Sequence, residues 1–409
     1  MKASAGKLRI LMLLENNPYP QDSRVRREAQ ALTQAGHRVS VIAQRGRNQP
    51  WQEVVDGVRV YRFPRPPDGN GFLGYLLEYG QALVSMLLLS LWALLREGFD
   101  VIHAHNPPDV MVLIAALYKP LGKRFVFDHH DLSPEMYYAR FQGEGSRVVY
   151  RALAFFEKLS CRLADHIIAT NQSYKAMEMA RSQAPEERIT IVRNGPDLER
   201  LRPAPPDPEL RAKAPIILGY VGDMGFHDGL DYLLRALHRL RYDLGRTDFY
   251  AVLIGKGDAW EGLQRLRVEL ELEEHVWFTG RVSDEDLVRY LSTADICLDP
   301  DPRNPFTDRS TMIKMTEYMA LSKPIVAFDL TEHRFTAQEA ALYAQPNDEL
   351  DFARKIAALM DDPERRARMG AFGRRRIETE LAWRYSVPKL LQAYEKLAHA
   401  RSQEKVALP

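Results

Sequence analysis

The chain has 409 residues, more than a single hydrophobic core usually holds, so we expect two domains. Its 56 basic and 55 acidic side chains give a formal net charge of +1, which excludes the overall positive charge typical of nucleic-acid-binding proteins. The two cysteines, Cys161 and Cys297, lie far apart in the sequence, which indicates a reducing compartment and excludes a disulfide-stabilised scaffold.

Short apolar runs alternate with helical patterns along the chain, and we predict that the runs rich in Val, Ile and Leu are strands buried on both faces. In chain order the predicted strands are Leu8–Glu15, Arg38–Gln44, Asp100–His105, Arg124–Phe127, His166–Thr170, Ile189–Val192, Ile216–Val221, Tyr250–Gly255, Val276–Phe278, Ile296–Leu298, Pro324–Phe328 and Ala341–Tyr343. Helical patterns separate most of them, which predicts two doubly wound, Rossmann-like α/β domains.

Prolines mark the boundary between the predicted domains, because four of them lie in residues 201–208. Proline fixes φ and removes a hydrogen-bond donor, so residues 201–213 are predicted to be a semi-rigid linker. The N-terminal domain is then residues 1–200 and the C-terminal domain residues 214–383. A last helix over residues 384–409 is predicted to pack back on the first domain.

The stretch Tyr79–Leu95 contains no charged residue. It is slightly shorter than the ~20 residues that span a bilayer, so we predict a buried or membrane-facing amphipathic helix. The basic residues Lys119, Lys123 and Arg124 would favour contact with an anionic membrane surface. The N-terminus lacks the long apolar core of a signal peptide, so we expect a cytoplasmic protein, peripheral on the inner membrane face.

Polar or glycine-rich turns follow many of the predicted strands in both halves of the chain. They are Glu15–Arg24, His103–Asp109, Asp128–Asp131, Gly222–Gly229, Gly255–Asp258, Gly280–Arg281 and Asp299–Asp301. In open parallel sheets, ligands bind at the carboxyl ends of the strands. The pattern therefore predicts two domains that face each other across a ligand-binding cleft.

Residues 299–319 are the most informative of these segments, since they predict a strand end, a loop and a helix. Asp308 or Ser310 is predicted to cap this helix. The free N–H groups at a helix amino end suit a phosphate, to which Lys314 would add a full charge, and Glu317 could accept hydrogen bonds from a sugar diol. The alternative is a surface helix with a lysine and a glutamate on its solvent side.

Three other chemistries receive less support. His103, His105, His129 and His130 with Asp128 and Asp131 could form a metal site, but adjacent histidines in a strand point to opposite faces. Neither glycine-rich turn has the spacing of the dinucleotide fingerprint, which disfavours hydride transfer. The sequence also contains no Gly-x-Ser-x-Gly nucleophile elbow.

Several segments together match a known family in order and spacing. They are Gly36–Ile42, Asp100–Asn106, Phe127–Leu132, Val192–Leu198, Tyr220–Gly222, Leu253–Gly257, Val276–Arg281 and Glu317–Val326. Over nearly its whole length the chain resembles the family 4 retaining glycosyltransferases of the GT-B fold. The resemblance implies metal-independent transfer of a sugar from a nucleotide-diphosphate donor, without a cofactor and with retention at the anomeric carbon.

The resemblance also implies roles for individual residues. The second domain would bind the nucleotide and the first domain the acceptor. Glu317 aligns with a glutamate that contacts ribose hydroxyls, and His130 with a histidine that touches the transferred sugar. The loop Asn16–Arg24 aligns with the glycine-rich loop that lines the acceptor side.

The chain departs from the family pattern at three positions. Arg309 replaces a glutamate, and Asp223 and Asp228 replace two cations that commonly bind the phosphates. Because a diphosphate in a closed site needs positive partners, we hypothesise that other groups replace those cations. They are Arg309, Lys314, Arg281 and the N–H groups near Ser310, Thr311 and Met312.

The sequence thus predicts a retaining, hexosyltransferase-like enzyme that uses a nucleotide sugar such as a UDP-sugar and a glycan or lipid-linked polysaccharide-precursor acceptor. The candidate catalytic residues are His130, Lys314 and Arg309. The candidate donor-binding residues are Gly222, Gly225, Gly255, Gly257, Arg281, Asp301, Asn304, Asp308, Ser310, Thr311, Met312 and Glu317, of which Asp301, Asn304 and Asp308 would bind donor-sugar hydroxyls. The candidate acceptor-binding residues are Asn17, Asp22, Arg24 and Asn106. Two alternatives stay open, an inactive GT-B relative that serves as a partner or scaffold and a sugar-nucleotide epimerase.

Overall fold

The structure is a computed structural model that describes residues 6–65 and 71–407, with the side chains of that range apart from residues 71–76 and 400–407. The chain forms two compact α/β units, as predicted. The first comprises Met1–Pro134, Ser146–Arg193 and Ser386–Pro409, and the second Glu135–Gly145 and Asn194–Tyr385.

The first unit is built on an eight-stranded sheet. Its strands are β1 (Arg9–Pro18), β2 (Arg38–Gln44), β3 (Gln52–Val55), β4 (Val58–Phe63), β5 (Val101–His105), β6 (Arg124–His129), β7 (His166–Ala169) and β8 (Ile189–Ile191). The helices in this part of the chain are α1 (Ser23–Gln34), α2 (Gly71–Arg96), α3 (Val112–Tyr118), α4 (Ser133–Arg140), α5 (Arg147–Leu163) and α6 (Gln172–Ser182). The strand order is β3-β4-β2-β1-β5-β6-β7-β8, and the pairs are parallel except for β3 with β4.

The antiparallel hairpin of β3 and β4 was missed by the sequence analysis. Its two strands are joined by Asp56 and Gly57, both of which have positive φ, as a tight hairpin turn requires. β3 lies at the sheet edge and alternates between exposed and half-buried residues. It therefore lacks the apolar run by which the other strands were recognised.

The second unit is built on a six-stranded, all-parallel sheet with the order β11-β10-β9-β12-β13-β14. Its strands are β9 (Ile216–Val221), β10 (Phe249–Ile254), β11 (Val276–Gly280), β12 (Ile296–Asp299), β13 (Ile325–Phe328) and β14 (Ala341–Ala344). Its helices are α7 (Pro208–Arg211), α8 (Leu230–Tyr242), α9 (Trp260–Glu269), α10 (Asp284–Thr293), α11 (Ile313–Ala320), α12 (Thr331–Ala337), α13 (Glu349–Met360) and α14 (Pro363–Arg376). The last helix, α15 (Val387–Ala407), contacts α1, β7 and β8 of the first unit, to which it belongs.

Helices cover both faces of the second sheet, which explains why its strands are apolar throughout. Leu218 and Tyr220 of β9 lie in one buried cluster with α8 and α13. Ile217 and Val221, which point to the opposite face, lie in a second cluster with α11. The sheet is thereby buried on both sides, and its polar groups are confined to the strand ends.

The proline-rich segment predicted as a linker is part of the second unit. Leu201 and Leu210 are buried in the core of that unit. The backbone N–H groups of Ala204 and Asp207 donate hydrogen bonds to the hydroxyl groups of Ser292 and Thr293. Prolines stiffen this segment, but its leucines and N–H donors attach it to the unit. The chain passes between the units at residues 134–135, 145–146, 193–194 and 385–386.

Candidate functional site

Lys314 and two aspartates form a buried charge cluster at the carboxyl end of β12. β12 ends at Asp299, and Lys314 is the second residue of α11. The Lys314 ammonium lies 2.9 and 3.0 Å from the two carboxylate oxygens of Asp301 and 3.5 Å from Oδ1 of Asp299. It also lies 5.1 Å from the centroid of the Tyr220 ring, whose face attracts a cation.

This cluster contains more carboxylates than cations. Burial disfavours the Lys314 ammonium, but Asp301 and its neighbours outweigh that effect and hold the pKa of Lys314 well above its ordinary value. Burial, followed by the nearby Asp299, raises the pKa of Asp301 to about 7. His333 Nε2 lies 3.6 Å from Asp299, and burial lowers the pKa of this histidine. The lysine is therefore charged, and Asp301 holds a proton up to about neutral pH.

In the structure Lys314, which is predicted to bind a diphosphate, is paired with Asp301, which is predicted to bind a sugar hydroxyl. The Lys314 side chain is only 8 % exposed, because its ammonium turns toward the carboxylates at the end of β12. It attaches α11 to the preceding loop. Its charge nevertheless lies within the first turn of α11, where it adds to the positive potential of the helix amino end.

The loop between β12 and α11 is held together by its own polar side chains. The Asn304 side-chain oxygen accepts hydrogen bonds from the backbone N–H groups of Phe306 and the next residue, at 2.9 and 3.0 Å. Asp308 accepts hydrogen bonds from the backbone N–H and the hydroxyl of Thr331, at the start of α12. The Ser310 hydroxyl donates to the carbonyl of Phe306 at 2.8 Å.

Asn304, Asp308 and Ser310, which are predicted to bind the donor, thus have partners within the protein. The first two were expected on donor-sugar hydroxyls, but their oxygens bind backbone and side-chain groups of the protein. Asp308 and Ser310 were also candidates for the cap of α11. The helix instead begins at Ile313 with Met312 as its N-cap, whose side chain has no oxygen to accept a hydrogen bond.

The amino end of α11 is the accessible part of this region. Thr311 and Met312 are half-buried and Ile313 is exposed. The first N–H groups of a helix have no acceptor within the helix, so this end presents donors and a partial positive charge. Arg309, which precedes it, is half-buried and donates a hydrogen bond to the carbonyl of Pro305 at 2.8 Å. This arrangement suits an anion such as a phosphate.

Glu317, one turn further along α11, is paired with an arginine that the sequence analysis did not consider. Arg200 Nη2 lies 2.5 Å from Oε1 of Glu317, and Nη1 lies 2.9 Å from Asp284. The two partners are 117 positions apart in the chain, so their pairing leaves no local signal in the sequence. A ribose diol bound to Glu317 would share the carboxylate with Arg200 or displace it.

The glycine-rich turns after β9 and β10 are explained by close backbone approach. Gly255 has a φ of +134°, and a Cβ there would lie 1.9 Å from the carbonyl oxygen of Gly222. A Cβ on Gly257 would lie 2.6 Å from the backbone of the turn after β9. The Gly225 N–H donates to Asp228 at 2.7 Å. Asp228 therefore closes the turn at a position where the family often has a phosphate-binding cation.

Arg281 directly follows β11 at the same sheet edge, and its side chain is exposed. It thus presents a cation to solvent, and its predicted contact with the donor diphosphate stays a prediction. Asp223, which follows β9, is also exposed. Burial is the largest of the effects that raise the pKa of Asp223, and the charge of Arg281 acts in the opposite direction.

In the first unit, Asp128 of β6 is the centre of a buried network. Arg24 binds its two oxygens at 2.6 and 2.7 Å and donates to the carbonyl of Val192 at 3.1 Å. Nδ1 of His105 lies 2.8 Å from Asp128, and Nδ1 of His130 lies 3.4 Å from it. Burial opposes ionisation of Asp128, but Arg24 and His130 outweigh it and hold the pKa of Asp128 well below its ordinary value.

His130, the predicted catalytic imidazole, is largely buried, with 13 % of its side chain exposed. Burial lowers the pKa of His130, but the adjacent Asp128 carboxylate more than offsets this and raises the pKa above its ordinary value. The network therefore favours the protonated imidazole. In that form His130 can donate a hydrogen bond to an oxygen of a substrate.

Arg24 and Asn106, both of which are predicted to bind the acceptor, are buried in the structure. Arg24 is bound to Asp128, and the Asn106 side-chain oxygen accepts hydrogen bonds from the backbone N–H groups of His130 and Asp131 at 2.8 and 3.1 Å. Asn106 thus holds the loop that carries His130. The cause is the same for both, since a buried polar side chain is satisfied by the nearest partner in its own fold.

Asp22 and Asn17 lie nearer the surface. Asp22 is the N-cap of α1 and accepts a hydrogen bond from the N–H of Val25 at 2.9 Å, which gives it a structural role that the sequence analysis did not assign. Asn17 is exposed and donates to Asp22 at 3.3 Å. Of the four predicted acceptor residues, Asn17 is the most accessible.

Sequence reasoning missed Tyr220, His333 and Arg200. One signal was present for the charge cluster, because Lys314 lies among apolar residues at a position that a helix buries. A buried lysine requires a carboxylate partner, and Asp299 and Asp301 end the neighbouring strand. No such signal existed for Arg200 or His333.

The two halves of the chain match two models of glycosyltransferase domains. Residues 21–195 match the glycosyl transferase 4-like domain, and residues 215–362 match glycosyl transferases group 1. Together the two models span more than half of the chain. The fold and the function class predicted from the sequence are thereby confirmed.

Relatives and solved structures agree with these models. A phosphatidyl-myo-inositol mannosyltransferase of Mycolicibacterium smegmatis is 26% identical, with 94% of this chain and 92% of that protein covered. A sucrose-phosphate synthase from Thermosynechococcus elongatus has a similar fold, with a TM-score of 0.78 at 21% identity and coverage of 96% of this chain and 100% of that one. The Anabaena protein HepE in complex with UDP has a TM-score of 0.65 at 15% identity, covering 97% and 100%. The chain therefore belongs to the family 4 glycosyltransferases and has the two Rossmann-like domains of the GT-B fold.

Proposed function

We propose that this glycosyltransferase moves a sugar from a nucleoside-diphosphate donor, such as a UDP-sugar, to a lipid-linked or polysaccharide-precursor acceptor, with retention at the anomeric carbon. The binding of a nucleoside-diphosphate donor is supported by the accessible amino end of α11, which Arg309 precedes and which Lys314 and Glu317 follow. Two similar proteins support the proposal, since one solved structure contains UDP and one relative is a phosphatidyl-myo-inositol mannosyltransferase.

In the proposed reaction the leaving diphosphate gains negative charge as the glycosidic bond breaks. The N–H groups at the amino end of α11 and the charge of Lys314 stabilise that developing charge. Glu317 exchanges Arg200 for the ribose hydroxyls, and protonated His130 donates to an oxygen of the transferred sugar. Since protein groups supply the positive potential, we propose that departure of the diphosphate needs no metal ion.

A panel of UDP-, GDP- and dTDP-sugars, assayed for release of the nucleoside diphosphate, tests this proposal. We expect one donor class to be turned over, and omission of Mg²⁺ and Mn²⁺ to leave the rate unchanged. Glu317→Gln should raise the donor KM about tenfold or more, because a ribose hydrogen bond to a charged group is worth about 1.5–3 kcal/mol. Glu261→Gln, an exposed change on α9, is the matched control.

The other results of this panel would each contradict a part of the proposal. A protein that binds no nucleoside diphosphate would be a scaffold. Isomerisation of the donor without an acceptor would identify an epimerase. A product with inverted anomeric configuration, measured by proton NMR coupling constants, would exclude the retaining mechanism.

An apolar face on α2 and α3 supports a membrane-associated acceptor. By length and composition alone, Leu77–Arg96 could cross a bilayer. In its most apolar 18-residue stretch, 22% is buried inside the protein. However, α2 contacts β1, β2 and β4, and its residues Ala82, Met86 and Ala93 are buried. The opposite side of α2 and the neighbouring α3 expose the residues of this apolar face, which are Leu88, Leu91, Trp92, Leu95, Leu113 and Leu117.

We therefore propose that α2 lies on the cytoplasmic membrane surface and does not span it. Leu95 is 83 % exposed, and Arg96 stacks over the Trp92 ring at 5.3 Å, an amphipathic pair typical of membrane interfaces. Two of the cations expected on lipid, Lys119 and Arg124, are instead paired with Asp165, so apolar contact should dominate.

Flotation with phosphatidylcholine vesicles tests this placement. We expect the wild-type protein to float with vesicles and Leu88→Gln/Leu95→Gln to lose most of that binding. Val268→Gln removes an exposed apolar side chain on the second unit and should bind as the wild type does. Equal flotation of all three proteins, or none, would contradict a membrane-docking apolar face.

A further inference from the structure

Four metal-ligating side chains meet in the core of the first unit, beside the Arg24–Asp128 pair. They are Glu28, His103, His105 and Asp128, and all four are completely buried. One ligand atom of each lies within 4.8 Å of the others. The proposed sugar transfer uses none of Glu28, His103 and His105.

The sequence brings these side chains together through strand periodicity. His103 and His105 are two positions apart on β5, so both point to the same face of the sheet. Asp128 is the register partner of His105 on β6. Glu28 comes from α1, one helical turn after Arg24. His129, which the sequence analysis grouped with them, instead contacts Glu178 and Glu157 and is not part of the cluster.

The atoms that face the centre of the cluster lack partners. Within the described part of the chain, Nε2 of His103, Nε2 of His105 and Oε2 of Glu28 have no hydrogen-bond partner, whereas Oε1 of Glu28 has an ion-pair contact with Arg24 at 3.2 Å. Each buried polar atom left unpaired costs about 1–3 kcal/mol. Three such atoms in one place therefore indicate that a ligand absent from the polypeptide completes the cluster.

The outer nitrogens of the two histidines, in contrast, are both occupied. His103 Nδ1 lies 2.9 Å from the hydroxyl of Tyr394 on α15, and His105 Nδ1 lies 2.8 Å from the Asp128 carboxylate. A carboxylate behind a histidine fixes its tautomer, so that Nδ1 carries the proton and Nε2 presents a lone pair. This is the support that metal-binding histidines commonly receive.

The geometry favours a metal ion over a direct contact. Oε2 of Glu28 lies 3.7 Å from Nε2 of His103, too far for a hydrogen bond. Two ligand bonds of about 2.1 Å at a tetrahedral angle place their atoms about 3.4 Å apart.

The balance of charge also leaves room for a cation. Arg24 is neutralised by its two bonds to Asp128 and lies 3.2 Å from Oε1 of Glu28. Arg24 therefore offers Glu28 only part of its charge, and a further cation would complete the pairing of this buried carboxylate. The cluster around Lys314 differs, since there the lysine ammonium already occupies the position of the cation.

We propose that His103, His105 and Glu28 bind one Zn²⁺ or a similar borderline divalent ion, with Asp128 and Tyr394 as its outer support. The ion joins α1 to β5 and, through Tyr394, to α15. Its role is structural and independent of the proposed sugar transfer, because its ligands are buried. A test of this metal site therefore does not depend on the identity of the donor and acceptor.

Metal analysis of the purified full-length protein tests the proposal. We expect about one equivalent of zinc by mass spectrometry. After removal of the metal by a chelator, Co²⁺ should restore one equivalent with the visible absorption of a tetrahedral site, and Zn²⁺ should raise the melting temperature. These measurements use the wild-type chain, so they do not depend on whether a variant folds.

Variants then assign the ligands. Glu28→Gln should weaken Co²⁺ binding at least a hundredfold, and Tyr394→Phe should weaken it about tenfold, as the loss of outer support does elsewhere. His166→Gln changes a buried histidine of the same unit that bonds to Thr190 and should leave binding unchanged. The proposal is overturned if the wild-type protein shows no tetrahedral Co²⁺ spectrum, which would indicate a buried water. It is equally overturned if Glu28→Gln binds as the wild type does, which would indicate an adventitious ion only.

Discussion

Replacing Lys314 by methionine removes the cation of the buried charge cluster at nearly constant side-chain volume. Asp301 and Asp299 then remain in the core of the second unit without the ammonium that lies 2.9 Å from the first and 3.5 Å from the second. We expect a loss of stability that is large at high pH and small at low pH, because only ionised carboxylates need the lysine.

The magnitude follows from the geometry. At 3 Å and an effective dielectric constant of about 20, one ion pair is worth about 5–6 kcal/mol before the desolvation of the ammonium is subtracted. Removal of one partner from a buried pair costs about 3–5 kcal/mol. We expect a loss of that size at pH 8 for Lys314→Met. At pH 5, where the Asp301 carboxyl holds a proton, we expect about 1–3 kcal/mol, the cost of an unpaired neutral group.

The direction of the pH effect follows from the pKa of Asp301, which burial and Asp299 raise from 3.8 to about 7. Between these values the folded state binds more protons than the unfolded state, so the wild-type protein loses stability as the pH rises. Without Lys314, which lowers that pKa, the proton would be held to higher pH. The loss of stability would then continue above pH 7.

Native-state hydrogen exchange of β12 and α11, at pH 5 and pH 8, measures this locally. Lys355→Met is the control, since this lysine on α13 is 3.5 Å from Asp351 and partly exposed, and should cost less than about 1 kcal/mol at either pH. A second change, Asp301→Asn, should recover part of the loss at pH 8. Equal losses at both pH values for Lys314→Met would refute the reasoning.

Three further predictions concern the backbone and the first unit. Gly255→Ala should destabilise the second unit by about 3 kcal/mol or more in urea unfolding, because φ of Gly255 is +134° and a Cβ would overlap Gly222. The control is Gly262→Ala in α9, where a Cβ meets no atom within 4 Å and should not destabilise the unit. Glu15→Gln should flatten the fall in stability between pH 4.5 and 7, since burial and Glu78 raise the pKa of Glu15 to about 7. Asn106→Leu should expose the loop of His130 to faster hydrogen exchange, because two backbone N–H groups lose their acceptor.

The sequence predicted the parallel strands well because both sheets are covered on two faces. A strand buried on both sides is a short apolar run, and each of the twelve predicted runs corresponds to an observed strand. The hairpin at Asp56 and Gly57 was missed because its edge strand β3 is at most half-buried, and because Arg59 and Arg62 interrupt the apolar residues of the buried strand β4. The proline-rich segment was assigned as a linker because composition reports stiffness but not attachment, which here depends on Leu201 and Leu210.

The site was less predictable than the fold, because the partner of a charged side chain is a property of the folded chain. The polar strand ends were located correctly, but their side chains bind partners far away in sequence. Arg24 and Asp128 are 104 positions apart, and Glu317 and Arg200 are 117 apart. The sequence therefore indicated which residues were polar and in which turn they lay, but not which of them face a ligand.

The amino end of α11 is the proposed binding site of the donor diphosphate. Hydrogen exchange of the full-length protein, measured with UDP, GDP and dTDP added in turn, tests this directly. We predict that one of these nucleotides slows exchange of the backbone amides in residues 309–317. Binding of a nucleotide that leaves these amides unprotected would contradict the account.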